Sequence, residues 1–216
     1  MKIVRSKRKT IAFVIEQDGR LTIRAPLRFS RVRIEQLVVE NADWIRARQD
    51  WTRQHSAASH RFEEGEHFYY LGKTFPLKYS VHQQQPLLLN DCFQLNQQRK
   101  TDVKKVFVAW YRDQARQVIG ERAAILADLY HLFYKEIHIT SARTRWGSCS
   151  RRGSLNFSWR LVMAPPEIID YVITHELAHL KIPNHSPDFW KYIEQLSPNY
   201  RVLRKWLKEN GGKFNL

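Results

Sequence analysis

Apolar and polar positions alternate along residues 10–25 on either side of Asp18-Gly19: Ile11, Phe13 and Ile15 are answered by Leu21, Ile23 and Ala25. That period of two, broken by a pair that tolerates positive φ, predicts a β-hairpin, which Pro26 ends. The period then changes. Ser30 is placed to cap a helix with Ile34, Leu37 and Val38 on one face, and Trp44, Ile45, Arg48 and Trp51 recur at helical spacing in a second. Tryptophans among arginines can stack nucleobases, but packing of an amphipathic helix is the commoner use of such a face. Residues 56–66 are polar and irregular and read as a connector. Alternation returns at His67–Leu71 and Phe75–Val81 around Gly72-Lys73, then at Leu87–Leu89 and Cys92–Leu95 around Asn90-Asp91, predicting two more hairpins.

From residue 101 the helical period dominates. Thr101 or Asp102 is placed to cap a long helix with Val103, Val106, Phe107, Trp110, Val118, Ile119, Ile125, Leu126 and Leu129 on one broad stripe. Nothing on that stripe is chemical, so it reads as a packing helix. Ile137–Thr140 alternates like a strand, and residues 144–162 read as two strands around Ser150–Gly153. Pro165-Pro166 then opens a helix that offers Ile169, Ile173, Leu177 and Leu180 to the core. Ser186-Pro187 starts another, with Phe189, Trp190, Ile193 and Leu196 inside, until Ser197-Pro198-Asn199 breaks it. A last helix carries Val202, Leu203, Trp206 and Leu207 up to Gly211-Gly212. The pattern predicts an α+β fold: a β-rich and helical region over 1–100, its role open between scaffold, substrate gate and nucleic-acid arm, and a compact core over 101–216.

Composition narrows the class. With 43% hydrophobic and 12% aromatic residues the chain is globular rather than disordered. No run approaches the ~18 apolar residues of a membrane span, and Met1–Arg5 leads into no signal-like apolar core. Cys92 and Cys149 are too few for a disulfide framework, so a cytoplasmic protein with free thiols and no membrane partner is the expectation. The net charge of +15 favours polyanions or acidic surfaces, and nucleic acid stays open as a partner. Two regions concentrate the charge. Residues 1–33 hold 10 basic and 2 acidic side chains, and Ile137–Pro166 holds arginines 143, 145, 151, 152 and 160 with no acid. A solubilising surface would look the same.

The chemistry concentrates at His175-Glu176-Leu177-Ala178-His179, an H-E-x-x-H run, with His185 six residues further on. On a helix, histidines four apart share a face and can reach one metal ion, with Glu176 beside them to take a proton from water. Glu194 and Asp188 compete with His185 for the third place. His185 is preferred because it brings a nitrogen at a spacing that lets the chain turn back under the metal. That spacing equals the metzincin one, yet Ile182 stands where the metzincin turn glycine would be, so Pro183-Asn184 must make a different turn. A purely structural zinc site would usually add cysteine, for which Cys149 is the nearest candidate; three histidines and an open position describe a catalytic ion instead. His60, His67 and His82 have no ligand spacing to one another and read as ordinary histidines.

RWGSCS at 145–150, Asn156, YVITHELAHL at 171–180 and NHSPDFW at 184–190 are similar to the YgjP-like metallopeptidase family, itself related to SprT-like and wider zincin peptidases. Residues 5–26 also resemble that family's N-terminus, so the resemblance covers nearly the whole chain. It implies a zincin-like core, Zn²⁺ held by His175, His179 and His185, and Glu176 as catalytic base. It also implies a strand within 144–162 that pairs with extended peptide or protein substrate, its arginines favouring acidic ones. Asn156, Arg160 and Tyr200 are candidates to stabilise the oxyanion, while Trp146 and Cys149 suit packing in a tight turn. Two rival functions remain: a zinc hydrolase of a non-peptide substrate, and a basic nucleic-acid-binding module with structural zinc. Substrate and oligomeric state are not legible.

Overall fold

The computed structural model describes residues 1–16, 19–55 and 60–216. Asp18 of the first predicted turn, residues 56–59 of the connector and the side chain of Trp51 lie outside the described residues. The fold is mixed α+β, with six α-helices and three small sheets among the described residues. The chain forms two compact units, Met1–Ala58 and Ser59–Leu216.

In the first unit β1 (Lys2–Ser6), β2 (Ala12–Ile15) and β3 (Leu21–Pro26) form one sheet in the order β1-β3-β2. The hairpin forms in the expected register, Phe13 facing Ile23 and Ile15 facing Leu21. Its unforeseen neighbour is β1, parallel to β3, whose mostly exposed KIVRS run carries almost no apolar signal. Leu21, Ile23 and Ala25 turn inward onto Ile34 of α1 (Arg31–Glu40) and Ile45 of α2 (Ala42–His55). Ser30 caps α1 as expected, its side-chain oxygen accepting from Arg33 N at 3.4 Å.

The second unit opens with β4 (His67–Tyr70), β5 (Lys73–Ser80), β6 (Leu87–Leu89) and β7 (Phe93–Asn96), in the order β4-β5-β7-β6. Both predicted hairpins form, and a parallel β5–β7 pairing joins them. A 3-10 helix over Gln97–Asp102, capped by the side chain of Asn96, leads into α3 (Val103–Leu129). Asp102 stands at the start of α3 without a capping hydrogen bond.

The inner face of α3 differs from the predicted stripe. Val103, Phe107, Tyr111, Ala115, Ile119 and Ala123 are buried at intervals of four, while Ile125 and Leu129 are exposed. Picking the largest apolar residues missed the alanines, which let neighbouring elements approach closely, and Tyr111, whose hydroxyl donates to Tyr69 O. Phe68 and Phe93 pack against Phe107 in tilted ring contacts, at 4.5 and 5.2 Å between centroids. Residues 59–100 therefore pack with the following chain, and the compact units divide at 58/59, whereas the sequence suggested a division at 100.

A third sheet carries the site. It is built from β8 (Glu136–Thr140), β9 (Gly147–Cys149) and β10 (Ser154–Ser158), in the order β8-β10-β9. β10 runs parallel to β8 and antiparallel to β9, which leaves the three-residue β9 at an edge. The second predicted strand stops at Ser158, and Trp159–Met163 form a buried 3-10 helix instead. α4 (Pro166–Ala178), α5 (Pro187–Leu196) and α6 (Tyr200–Asn210) complete the chain. Two contacts set the start of α4. The β4–β5 turn places Gly72 (φ +79°) against Pro165, where a Cβ would meet the ring at 2.9 Å. Leu71 N and Gly72 N donate to Val162 O and Met163 O at 2.8 and 3.2 Å.

Candidate metal centre

α4 starts with Pro166 at its first turn and is pinned to α3 by Arg122, whose Nε donates to Asp170 Oδ1 at 2.8 Å. Its apolar face buries Ile168, Ile169, Val172, Ile173 and Leu177. The helix ends at Ala178, so His175 lies in the last turn and His179 is the C-cap residue. The chain then turns through Leu180–Asn184, with Ile182 N donating to Ala178 O at 2.9 Å. Ser186 opens α5, its hydroxyl oxygen accepting from Phe189 N at 3.4 Å. This turn brings His185 back to the helix. One ligand-capable nitrogen from each of His175, His179 and His185 lies within 4.8 Å of the others.

The three rings are held by different means. His179 Nδ1 lies 3.0 Å from Ile182 O, a contact that makes Nδ1 the donor and leaves Nε2 as the free lone pair. Phe189 stacks on His179 at 4.5 Å, and Trp190 stacks on His185 at 5.6 Å. His175 Nδ1 is buried with no hydrogen-bond partner among the described residues, so packing against Tyr171, Phe189 and Trp190 orients that ring. Burial, then the neighbouring His179 and His185, pushes His175 down to about 3, and burial also lowers His185. Both are therefore neutral near pH 7, the form that binds metal.

The donor set fits zinc. Two nitrogens on one tetrahedral ion with Zn–N of about 2.0–2.1 Å sit roughly 3.3 Å apart. His175 Nε2 and His185 Nε2 are 2.9 Å apart, and the widest separation in the set stays within 4.8 Å, so the values bracket that spacing. Glu194 and Asp188 are not in the group; the Glu194 carboxylate lies 3.6 Å from Arg201.

Glu176 is 6% exposed and lies against β9. Gly147 makes room for it, since a Cβ there would stand 2.6 Å from Glu176 Oε1 and Cγ. Burial pushes the carboxyl up to about 8, against the pull of Arg145 and of the Cys149 backbone N–H, which donates to it. Burial, and then Glu176, raise the Cys149 thiol. The other sequence candidates scatter. Arg160 is buried over the Trp159 ring at 4.1 Å, with Nη1 donating to Ser141 O at 3.3 Å. Asn156 Nδ2 donates to Ser148 O at 3.4 Å, and Tyr200 stacks on Trp190 at 5.6 Å.

Sequence reasoning passed over Tyr171 and Arg204. Burial pushes the Tyr171 hydroxyl up to about 12, opposed by the charge of Arg204. The Arg204 guanidinium sits 4.5 Å from the centre of the Trp190 ring. Tyr171 opens the YVITHELAHL run without ligand spacing to the histidines, and Arg204 belongs to no recognisable run.

A protein-family model, the YgjP-like metallopeptidase domain, matches residues 9–210 of this chain. The chain belongs to the YgjP-like metallopeptidase family. That match spans both compact units, so residues 9–58 are part of the family's domain rather than an appendage. The family makes the chain a metallopeptidase, with a metal as cofactor and peptides or proteins as substrates. Among solved structures, the crystal structure of the metallopeptidase zymogen of Pyrococcus abyssi abylysin is similar over 42% of this chain and 93% of its own, with 21% identity and a TM-score of 0.38. No curated protein sequence matches. No helix among the described residues is long and apolar enough to cross a membrane.

Proposed function

We propose that this YgjP-like protein is a zinc-dependent peptidase in which His175, His179 and His185 hold the metal and Glu176 is the catalytic base. The reading rests on one observation: three histidine nitrogens converge, and the residue that follows the first of them in the chain is a buried carboxylate. A zinc ion there would polarise the scissile carbonyl and acidify the attacking water. Glu176 takes the proton of that water at its carboxylate and passes it to the leaving amine. Burial gives its conjugate acid a pKa near neutrality, and a cation at the histidines pulls it back down, so the group can both accept and release a proton. The Cys149 N–H and the glycine at 147 hold the carboxylate in place. The edge strand β9, lying along α4, offers backbone groups to an extended substrate as in zincin-like cores.

Metal analysis of purified protein with a peptide-library cleavage assay tests this. One zinc per chain is expected, lost in His185→Ala and retained in Glu194→Ala and Asp188→Ala. Glu176→Gln keeps the zinc and loses turnover by at least ~10³-fold, the upper part of the range for general acid–base groups. Zinc retained in His185→Ala overturns the ligand set. Full peptide cleavage by Glu176→Gln overturns the assigned base.

A further inference from the structure

A small polar cavity of about 210 Å³ lies alongside β9. Its walls include Thr140, Arg145, Gly147, Ser148, Asn156 and Ser158. The hydroxyls of Thr140 and Ser158 donate to Phe157 O and Ala142 O, at 3.3 and 2.8 Å. One Asn156 N–H goes to Ser148 O. The donors left for a guest are the Arg145 guanidinium, the Ser148 hydroxyl and the second Asn156 N–H. No carboxylate lines the cavity, and among the described residues none pairs with Arg145, which is exposed. Such a donor-rich pocket with one fixed positive charge matches a carboxylate, which accepts at both oxygens and pairs in two-point fashion with arginine.

Its position ties it to the peptidase reading. Gly147 lines the cavity and is also the residue against which Glu176 packs. Arg145, two residues before Gly147 in the chain, shares the same cavity wall. A peptide that pairs with the edge of β9 therefore runs past both. Side chains of an extended strand point alternately to its two faces. Asn156 and Ser158 alternate with the buried Leu155 and Phe157 on β10, so the cavity lies on the face of the sheet away from the core. One substrate residue can thus sit at the metal centre while its neighbour turns towards Arg145.

We infer that this cavity is a specificity pocket for an acidic side chain of the substrate, with Arg145 as its charged donor and Ser148 and Asn156 as neutral ones. The inference rests on the peptidase reading for its substrate and on the cavity for its selectivity. A second cation, the Arg204 guanidinium, sits 4.5 Å from the centre of the Trp190 ring that stacks on His185. With these two cations and a net charge of +15 on the chain, acidic peptides are also steered to the protein, less so at high salt.

The test uses zinc-loaded protein and internally quenched ten-residue peptides that differ by Glu, Gln or Lys at each position flanking the cleaved bond. Wild-type protein should prefer Glu over Gln at one position by about tenfold in kcat/KM, the size expected of one charge-assisted contact. Arg145→Gln should bring that ratio to about one, and Arg145→Glu should turn the preference towards Lys. Ser148→Ala should lower the ratio less. Equal cleavage of Glu and Gln peptides at every position overturns the pocket, as does an unchanged preference in Arg145→Gln. If no peptide is cleaved, the peptidase reading fails. The pocket is then judged by fluorescence anisotropy with the Glu176→Gln protein. Tighter binding of the Glu peptide than of the Gln peptide, lost on adding Arg145→Gln, supports it; equal binding sinks it.

Discussion

Gly147 and Glu176 show how a single missing atom can fix the place of a buried carboxylate. The carboxylate occupies the space that any Cβ at 147 would claim. Gly147→Ala should therefore displace Glu176 while leaving the three histidines in place. We expect zinc content to be unchanged and kcat/KM on a cleaved peptide to fall by about 10²-fold, the typical cost of a misplacement near 1 Å. Full activity in that variant would show that the carboxylate has room elsewhere. Residues at this scale divide into two kinds. His175, Glu176, His179 and His185 were legible because all four lie within eleven consecutive positions, and local spacing carries their relation. Gly147, Tyr171 and Arg204 were not, and Arg145 only as one of the arginines expected along the 144–162 strands, because their relation to the centre exists only once β9, α4 and α6 are assembled.

At the scale of elements, the segment from Ser186 to Trp190 does more than continue the chain. Its cap fixes the first turn of α5, and that turn supplies both rings that stack on histidines. Ser186→Ala removes the cap, and a loss of about 1 kcal/mol is expected. In a chain of this size that lowers Tm by roughly 2–4 °C. Thermal unfolding of the two proteins at matched zinc occupancy checks it; a shift below 1 °C would mean that packing alone holds the turn. The cap was readable from Ser186-Pro187, as was Ser30 before α1. Other elements were hidden for identifiable reasons. β1 is mostly exposed and pairs in parallel with residues twenty positions further on, Lys2 with Thr22, so no local alternation betrays it. Three of the eight buried residues of α3 are alanine, which a search for large apolar side chains passes over. Trp159–Met163 is buried as completely as a strand would be, and burial by itself does not separate the two.

Across the whole molecule, the three-histidine group proposed to hold the metal, and the contacts that position it, belong to the unit Ser59–Leu216. The aromatic cluster of Phe68, Phe93 and Phe107 and the turn at Gly72 hold residues 59–100 within that unit. A fragment of residues 59–216 is expected to fold cooperatively and bind one zinc, by circular dichroism and metal analysis. A fragment starting at residue 101 loses the partners of α3 and should fail to fold. Chelation should destabilise the full chain as well, because the metal binds only the folded arrangement: at free zinc 100-fold above Kd the loss is about 2.7 kcal/mol. A Tm that does not respond to chelator would count against a bound metal in the folded protein.

The stack of Trp190 on His185 has an optical consequence. An indole lying flat on an imidazole exchanges excited-state charge with it, and the exchange depends on whether the imidazole is neutral, protonated or coordinated. Trp190 should therefore act as a built-in reporter, its emission changing as zinc arrives and leaves on the millisecond scale of a stopped-flow experiment. With seven tryptophans in the chain the signal will be a fraction of the total, and Trp190→Phe should remove it while the other six still fluoresce. The same residue that braces a ligand would thus let metal loading be timed without a label.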